Sequence, residues 1–158
     1  MIRWSFSGLK DFSNCPRQFN EVKNLKRFTK VATQQMLYGT EVHKALEEYA
    51  RGTPLATNYE RFKKGMDALL AIEGVKYPER QMALKEDRVT PCEFDDPDYW
   101  VRGIVDLLII DNDTAYIIDY KTGNAKYPDV NQLKLMALFT FAHHPEVQKV
   151  KAGLFFVM

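Results

Sequence analysis

The run YIIDYKTG, residues 116–123, ends an apolar, aromatic-rich strand pattern in an acid, a spacer and a base. Asp119 and Lys121 lie two residues apart, and on a strand such residues point to the same face. Charge at the end of an apolar strand is costly unless something neutralises it. The preceding apolar run, YWVRGIVDLLII, carries an acid of its own, Asp106. If Asn112-Asp113 forms a two-residue hairpin loop, Asp111 faces Thr114, Leu108 faces Ile117 and Asp106 faces Asp119. Asn and Asp tolerate the positive φ such a loop needs. Asp106, Asp119 and Lys121 then share a face, with the opposed Cβ atoms about 4.5–5.5 Å apart. Val105, Leu107 and Ile109 on one face, and Ile104, Leu108 and Ile110 on the other, make both surroundings apolar.

Two like charges in that setting repel, and a divalent cation resolves the conflict. Two carboxylates on rigid strands, with water completing the shell, suit Mg²⁺ or Mn²⁺. Lys121 beside the ion can steady a nucleophilic water or the charge building on a phosphate. The plainer alternative is a DxK on a solvated strand edge. The matching position of Asp106 and the apolar character of both strands favour the metal reading, and a three- or four-residue loop would undo the register.

These strands need elements to position them. Ser7 reads as the N-cap of a short helix through Leu9 and Phe12, and Pro16 can open a second helix. FNEVKNLKRF carries a helical turn into a loop. QQMLYGTEVHKALEEYARG is helical, with Met36, Gly39, His43, Leu46 and Ala50 on one stripe, Val42 and Tyr49 beside it, and Gly52 as C-cap. Asn58 to Ile72 is helical, with Tyr59, Phe62, Met66, Leu69 and Leu70 inward, and Gly74 and Pro78 end it. RQMALKEDRV alternates as a first strand. GNAKYP is a loop. DVNQLKLMALFTFAHH is a helix with Asp129 as N-cap, ended by Pro145. KVKAGLFFVM reads as a last buried strand. Helices, three strands, a helix and a strand give an α/β order, the final strand returning by a right-handed crossover.

The totals bound the function. A chain of 158 residues suits one domain with a proper core. Eight Tyr and ten Phe give ample apolar area to bury. Twenty-two basic and 21 acidic residues leave a net charge of +1, so no global basic footprint advertises nucleic acid, although local clustering can still supply one. Cys15 and Cys92 lie far apart, with no CxxC or His-Cys cluster, so zinc, an iron–sulfur cluster and a disulfide framework are not expected. This cysteine usage predicts an intracellular, cytoplasmic protein. MIRWSFSGLKDF lacks a signal-peptide core, and no apolar run approaches the roughly 20 residues of a membrane span.

Five pieces in order carry a resemblance: FSNCPRQF (12–19), GTEVHKAL (39–46), GIVD (103–106), IIDYKTG (117–123) and QLKLMAL (132–138). Together they resemble the PD-(D/E)XK nuclease superfamily, and within it the RecB-like branch that includes recombination, CRISPR-adaptation and phage exonuclease domains. The resemblance runs from about Ser7 to Met158. It implies a restriction-endonuclease-like α/β fold, a central mixed β-sheet flanked by helices. Residues 1–158 form one nuclease domain, 1–77 a helical portion and 78–158 the sheet-and-helix catalytic core. It implies Asp106 and Asp119 as metal ligands, Lys121 as the catalytic lysine, His43 as a further ligand and the Tyr120 carbonyl completing the shell. Gln132 matches a glutamine that helps hold DNA or the active site. Glu79, before the first strand, loosely matches an acidic position of some relatives. Two features depart: Met136 stands where the glutamine motif usually has Tyr, and the three C-terminal cysteines of iron–sulfur members are missing. The close on an apolar strand suggests a minimal core or a piece of something longer, with a further C-terminal segment or a protein partner.

The implied activity is Mg²⁺- or Mn²⁺-dependent hydrolysis of DNA phosphodiesters, exonucleolytic by family habit. The rivals are a DNA-binding or assembly module with a disabled site, for which Met136 argues, and a different metal hydrolase such as a phosphatase. Read alone, His43 on its apolar stripe is a satisfied core histidine and Gln132 an exposed helix residue. His143 and His144 favour the negative end of their helix. Cys15 is a small packed side chain. Lys126, Tyr127 and Lys134 can touch phosphates, as can Arg17 and the KNLKRFTK segment, without reading sequence.

Overall fold

The computed structural model describes residues 3–29, 31–123 and 130–157. Asp129, Lys126 and Tyr127 lie outside them. Among the described residues, six strands form one mixed sheet: β1 (Trp4–Ser5), β2 (Val75–Leu84), β3 (Pro91–Cys92), β4 (Val101–Asp111), β5 (Thr114–Lys121) and β6 (Lys149–Phe156). Their order is β3-β2-β4-β5-β6, with β1 pairing β4 in parallel beside its start. β4 is antiparallel to both β2 and β5, and β6 runs parallel to β5. The helices are α1 (Phe6–Asn14), α2 (Pro16–Phe19), α3 (Gln34–Ala50), α4 (Lys63–Leu70) and α5 (Asn131–His143). The fold is the restriction-endonuclease-like α/β arrangement.

Two cores lie on the sheet's two faces. One packs Met82, Leu84, Val105, Leu108 and Ile117 under Leu133, Met136 and Phe139 of α5. The other packs Leu107, Ile109, Ile118 and Tyr120 under Val42 and Leu46 of α3 and Met66 of α4. The deeply apolar β4 thus serves both layers, which is why its sequence is a near-continuous apolar run rather than an alternation. Gly74 turns α4 into β2 with φ 112°, and a Cβ there would meet the Ile110 carbonyl oxygen at 2.3 Å. Only glycine combines that backbone with that approach.

The hairpin register is the expected one. Asp111 pairs Thr114 and Leu108 pairs Ile117, and Asn112 takes φ 51° in the two-residue loop. Pro16 opens α2 and Thr33 caps α3. Several expectations need correction. The cap of α1 is Ser5, whose side chain accepts the Gly8 N–H, so Ser7 lies inside the first turn. Asn58 to Ile72 is not one helix: a 3₁₀ turn, Thr57–Phe62, precedes α4, which ends at Leu70. Met36 is half-exposed rather than part of a buried stripe. The first long strand begins at Val75, before Pro78, and stops at Leu84, with a turn following. Pro78 is tolerated there because β3 covers β2 only at Ala83 and Leu84, leaving the earlier stretch as an edge. β6 is not buried: it forms the opposite edge, with Lys149, Lys151, Ala152 and Gly153 exposed. His144 is buried against Tyr77, and His143 Nε2 lies 2.9 Å from the Ala83 carbonyl oxygen, so both histidines join α5 to β2 rather than simply closing the helix. Among the described residues no helix is long and apolar enough to cross a membrane.

Candidate active site

The site forms where the strand ladder parts. Pro78 pairs Leu107 and Arg80 pairs Val105, so Glu79 stands opposite Asp106. Continuing the β4–β5 register past Leu107 and Ile118 sets Asp106 opposite Asp119. Three carboxylates thus stand side by side on three neighbouring strands. Neither acid pair is itself bridged. Glu79 adopts φ 51°, unusual for a side chain with a Cβ.

Alternation inverts at this row. On β4, Val105 and Leu108 belong to the core under α5, while Leu107 and Ile109 belong to the other core. The expectation that Val105, Leu107 and Ile109 share a face therefore fails, because the strand is irregular at Asp106. So does the expectation of a single face for the three charged residues. Asp106 is turned toward α3, whereas Asp119 and Lys121 meet Gln132 of α5. On β2 the same inversion falls at Glu79, with Tyr77 and Met82 both on the α5 side.

Asp106, 7% exposed, is held from both sides. Its Oδ1 lies 3.3 Å from His43 Nδ1, and its Oδ2 accepts the Tyr120 N–H at 2.6 Å. The carboxylate thus replaces the ladder partner that Tyr120 has lost. His43 reaches this point because α3 comes close to the end of β5. A Cβ on Gly39 would sit 3.0 Å from Thr122 Oγ1. Gly39 and His43, four residues apart, occupy one helix face. One ligand atom each from His43, Glu79 and Asp106 lie within 4.8 Å of one another. They open into a cleft of about 840 Å³ that Glu47, Ile104 and Thr122 also line.

Asp119, 2% exposed, sits beside this trio in a network of its own. Its Oδ1 accepts from Gln132 Nε2 at 2.8 Å, and Lys121 Nζ donates to Gln132 Oε1 at 2.8 Å. Lys121 Nζ also lies 2.5 Å from Asp119 Oδ2, an ion pair that ties the buried carboxylate to the lysine.

Protonation reflects the crowding. Burial, then repulsion from Asp106 and Glu47, pushes Glu79 up to about 7, against the pull of His43 and Arg51. Burial and the neighbouring Asp106 also raise Asp119, opposed by Lys121 and His43. Burial alone would lower His43, but the hydrogen bond and charge of Asp106, with Asp119 and Glu79 behind it, carry it above its ordinary value. A cluster that holds protons this tightly has the excess negative charge that a divalent cation would relieve. An imidazole and two carboxylates, with the Asp119 carboxylate nearby, form a donor set that could hold a divalent cation.

The family model of the PD-(D/E)XK nuclease superfamily matches residues 3–157. The chain belongs to the PD-(D/E)XK nuclease superfamily. Comparison with curated proteins gives no match. PD-(D/E)XK nucleases use divalent metals and generally act on nucleic acid, in keeping with the His43, Glu79 and Asp106 cluster. Met136 of α5, which stands where the resemblance implies a tyrosine, is 3% exposed and part of the core. Sequence reasoning undervalued Glu79 by setting it before the strand. The available signal was the acid itself, directly before the alternating run that starts at Arg80 and beside Pro78.

Proposed function

We propose that the chain is a Mg²⁺- or Mn²⁺-dependent deoxyribonuclease that hydrolyses phosphodiester bonds, acting as an exonuclease in recombination, repair or phage DNA processing. The observation that carries this is the convergence of His43, Glu79 and Asp106 beside a separately held Asp119–Lys121–Gln132 network. His43, Glu79 and Asp106 would hold the ion, with the Tyr120 carbonyl and, after it turns from Gln132, Asp119. The bound ion would supply Lewis acidity to the phosphate and lower the pKa of an attacking water. Lys121, 31% exposed at its side chain, presents its amine at the substrate side of Asp119, where it orients that water or takes up charge on the phosphate. Gln132 fixes both partners by giving its N–H to one and its oxygen to the other. The RecB-like motif order supports exonucleolytic action.

The test is digestion of end-labelled linear, circular and single-stranded DNA with either ion, alongside Asp119→Ala and Lys121→Ala. Cleavage that requires the ion, spares the circle and disappears in both variants is the expected result. A second reading, a disabled DNA-binding module, draws on Met136. It predicts no cleavage and no Mn²⁺ binding by calorimetry, which would sink the nuclease reading.

A further inference from the structure

Among the described residues, the edge of β4 away from β2 has no strand neighbour between β1 and β5. β1 pairs only Val101 and Arg102, and β5 begins to pair at Leu107. β2 pairs one edge of Gly103 to Val105, and their other edge is left without a ladder. Beside Gly103 and Ile104 is a cavity of about 440 Å³, within the range of small-molecule pockets. Phe6, Phe94, Ile104, Met136 and Phe139 make its walls apolar and aromatic, and Gln132 stands at one side. Its form is fixed by two local devices. Gly103 lets the Phe139 ring lie on the strand, since a Cβ there would come within 2.7 Å of the ring. Phe94 is pinned by the Arg102 guanidinium, 4.5 Å above its ring and hydrogen-bonded to the Phe94 carbonyl oxygen at 3.0 Å.

Two residues join this cavity to the candidate active site. Ile104 also lines the cleft of His43 and Asp106, and Gln132 holds both Asp119 and Lys121. A phosphodiester lying over those groups would carry its adjoining base to the mouth of the cavity. We propose that this cavity receives the unstacked base next to the scissile phosphate, so that the preferred substrate is a single-stranded or frayed DNA end. The proposal deepens the nuclease reading and rests on it. An aromatic wall stacks any base, so the pocket gives strand preference without sequence preference. A base inside an intact duplex cannot enter without leaving its stack, which makes closed duplex the poorer substrate. Met136 contributes here too: an unbranched, polarisable side chain lines the wall in place of a ring and its hydroxyl.

The experiment is single-turnover cleavage of end-labelled single strands in which one abasic site is moved along the chain. One abasic position should slow cleavage of its neighbouring phosphate about ten- to a hundredfold, the range of one lost base–aromatic stack. Phe94→Ala, in the half-exposed turn after β3, should slow intact DNA similarly and remove the dependence on abasic position. Met136→Trp, which fills the cavity, should do the same, with its thermal melt reporting whether it folds. If cleavage proceeds at the intact rate for every abasic position, or folded Phe94→Ala acts like the parent, the pocket proposal is overturned while the nuclease reading stands. If the parent cleaves no DNA and binds no Mn²⁺, both fall together.

Discussion

The β4–β5 hairpin is built from the same two strands at both ends, yet the ends obey different rules. At the turn end, Leu107 to Asp111 pair Thr114 to Ile118 without interruption, and Leu108, Ile109 and Ile117 are at most 1% exposed. At the open end the ladder stops, β1 takes the far end of β4, and Asp106 and Asp119 are buried as carboxylates. One end removes apolar area from water on both faces. The other gathers what burial disfavours, carboxylates of like charge side by side. The turn end therefore supplies rigidity, and the open end uses that rigidity to keep repelling groups together.

Substitutions of similar size at the two ends should separate these roles. Asp106→Asn keeps an oxygen for the Tyr120 N–H and removes one charge from the row facing Glu79 and Asp119. We expect Mn²⁺ affinity to fall by more than the roughly 10–100-fold that outer-shell changes cost, and ion-dependent cleavage to be lost. The ion-free thermal midpoint should hold or rise. Leu108→Ala should show the reverse pattern: a loss of about 2–5 kcal/mol in denaturant unfolding, with Mn²⁺ affinity near that of the parent under conditions where it is folded. A fall in stability for Asp106→Asn as large as that for Leu108→Ala would erase the distinction between the ends.

The contrast also explains what the sequence disclosed. The turn end was legible because hairpin arithmetic applies where a ladder is regular: fixing Asn112-Asp113 as the loop sets every pair through Leu107 and Ile118. Extended one residue further, the same arithmetic sets Asp106 opposite Asp119 but misplaces their directions, and it says nothing of Glu79 on β2. Glu79 and Asp106 invert the alternation, and no period-two rule anticipates that. β6 was misread for a different reason. LFF at its end looks like core, but burial of a terminal strand depends on whether another strand lies beyond it, and none does among the described residues. The α3 stripe was legible where Val42 and Leu46 meet the sheet. Met36, in the first turn of α3, lines the open cleft, where helical periodicity continues and close packing does not.

The acidity of the open end gives a pH signature that the turn end lacks. Glu79 titrates near 7 in the fold, above its ordinary value of 4.5. A carboxyl raised by folding binds its proton more tightly in the native state. Its contribution to stability is fully present below the ordinary value and is lost as pH rises from about 4.5 through 7. The ion-free protein should therefore melt at progressively lower temperature across that window, and Glu79→Gln should flatten the decline. Mn²⁺ affinity should move oppositely in the parent, rising between pH 6 and 8 as the ion displaces the proton. Calorimetry in two buffers of different ionisation enthalpy would count the released proton. A parent melt that is flat from pH 5 to 7.5 would contradict the burial argument for Glu79.

Gln132 offers the smallest and most selective test, because it touches the open end without carrying charge. Its amide donates to Asp119 and its oxygen accepts from Lys121. Hydrogen bonds to charged groups contribute about 1.5–3 kcal/mol when buried, but Gln132 is only partly buried and water can replace part of each bond. Gln132→Ala should therefore slow cleavage by about tenfold and leave Mn²⁺ affinity close to the parent's, since the His43, Glu79 and Asp106 atoms do not touch it. Gln132→Glu divides the role. It can still accept from Lys121 but can no longer donate to an ionised Asp119, and it adds a repelling charge beside that residue. If holding Lys121 is what counts, the glutamate variant should cleave faster than the alanine variant. If holding Asp119 is what counts, it should cleave no faster, and its Mn²⁺ affinity should change with Asp119's freedom. Parent-like cleavage by both variants would show that the α5 network is packing alone, and would confine the chemistry to the row of acids on the strands.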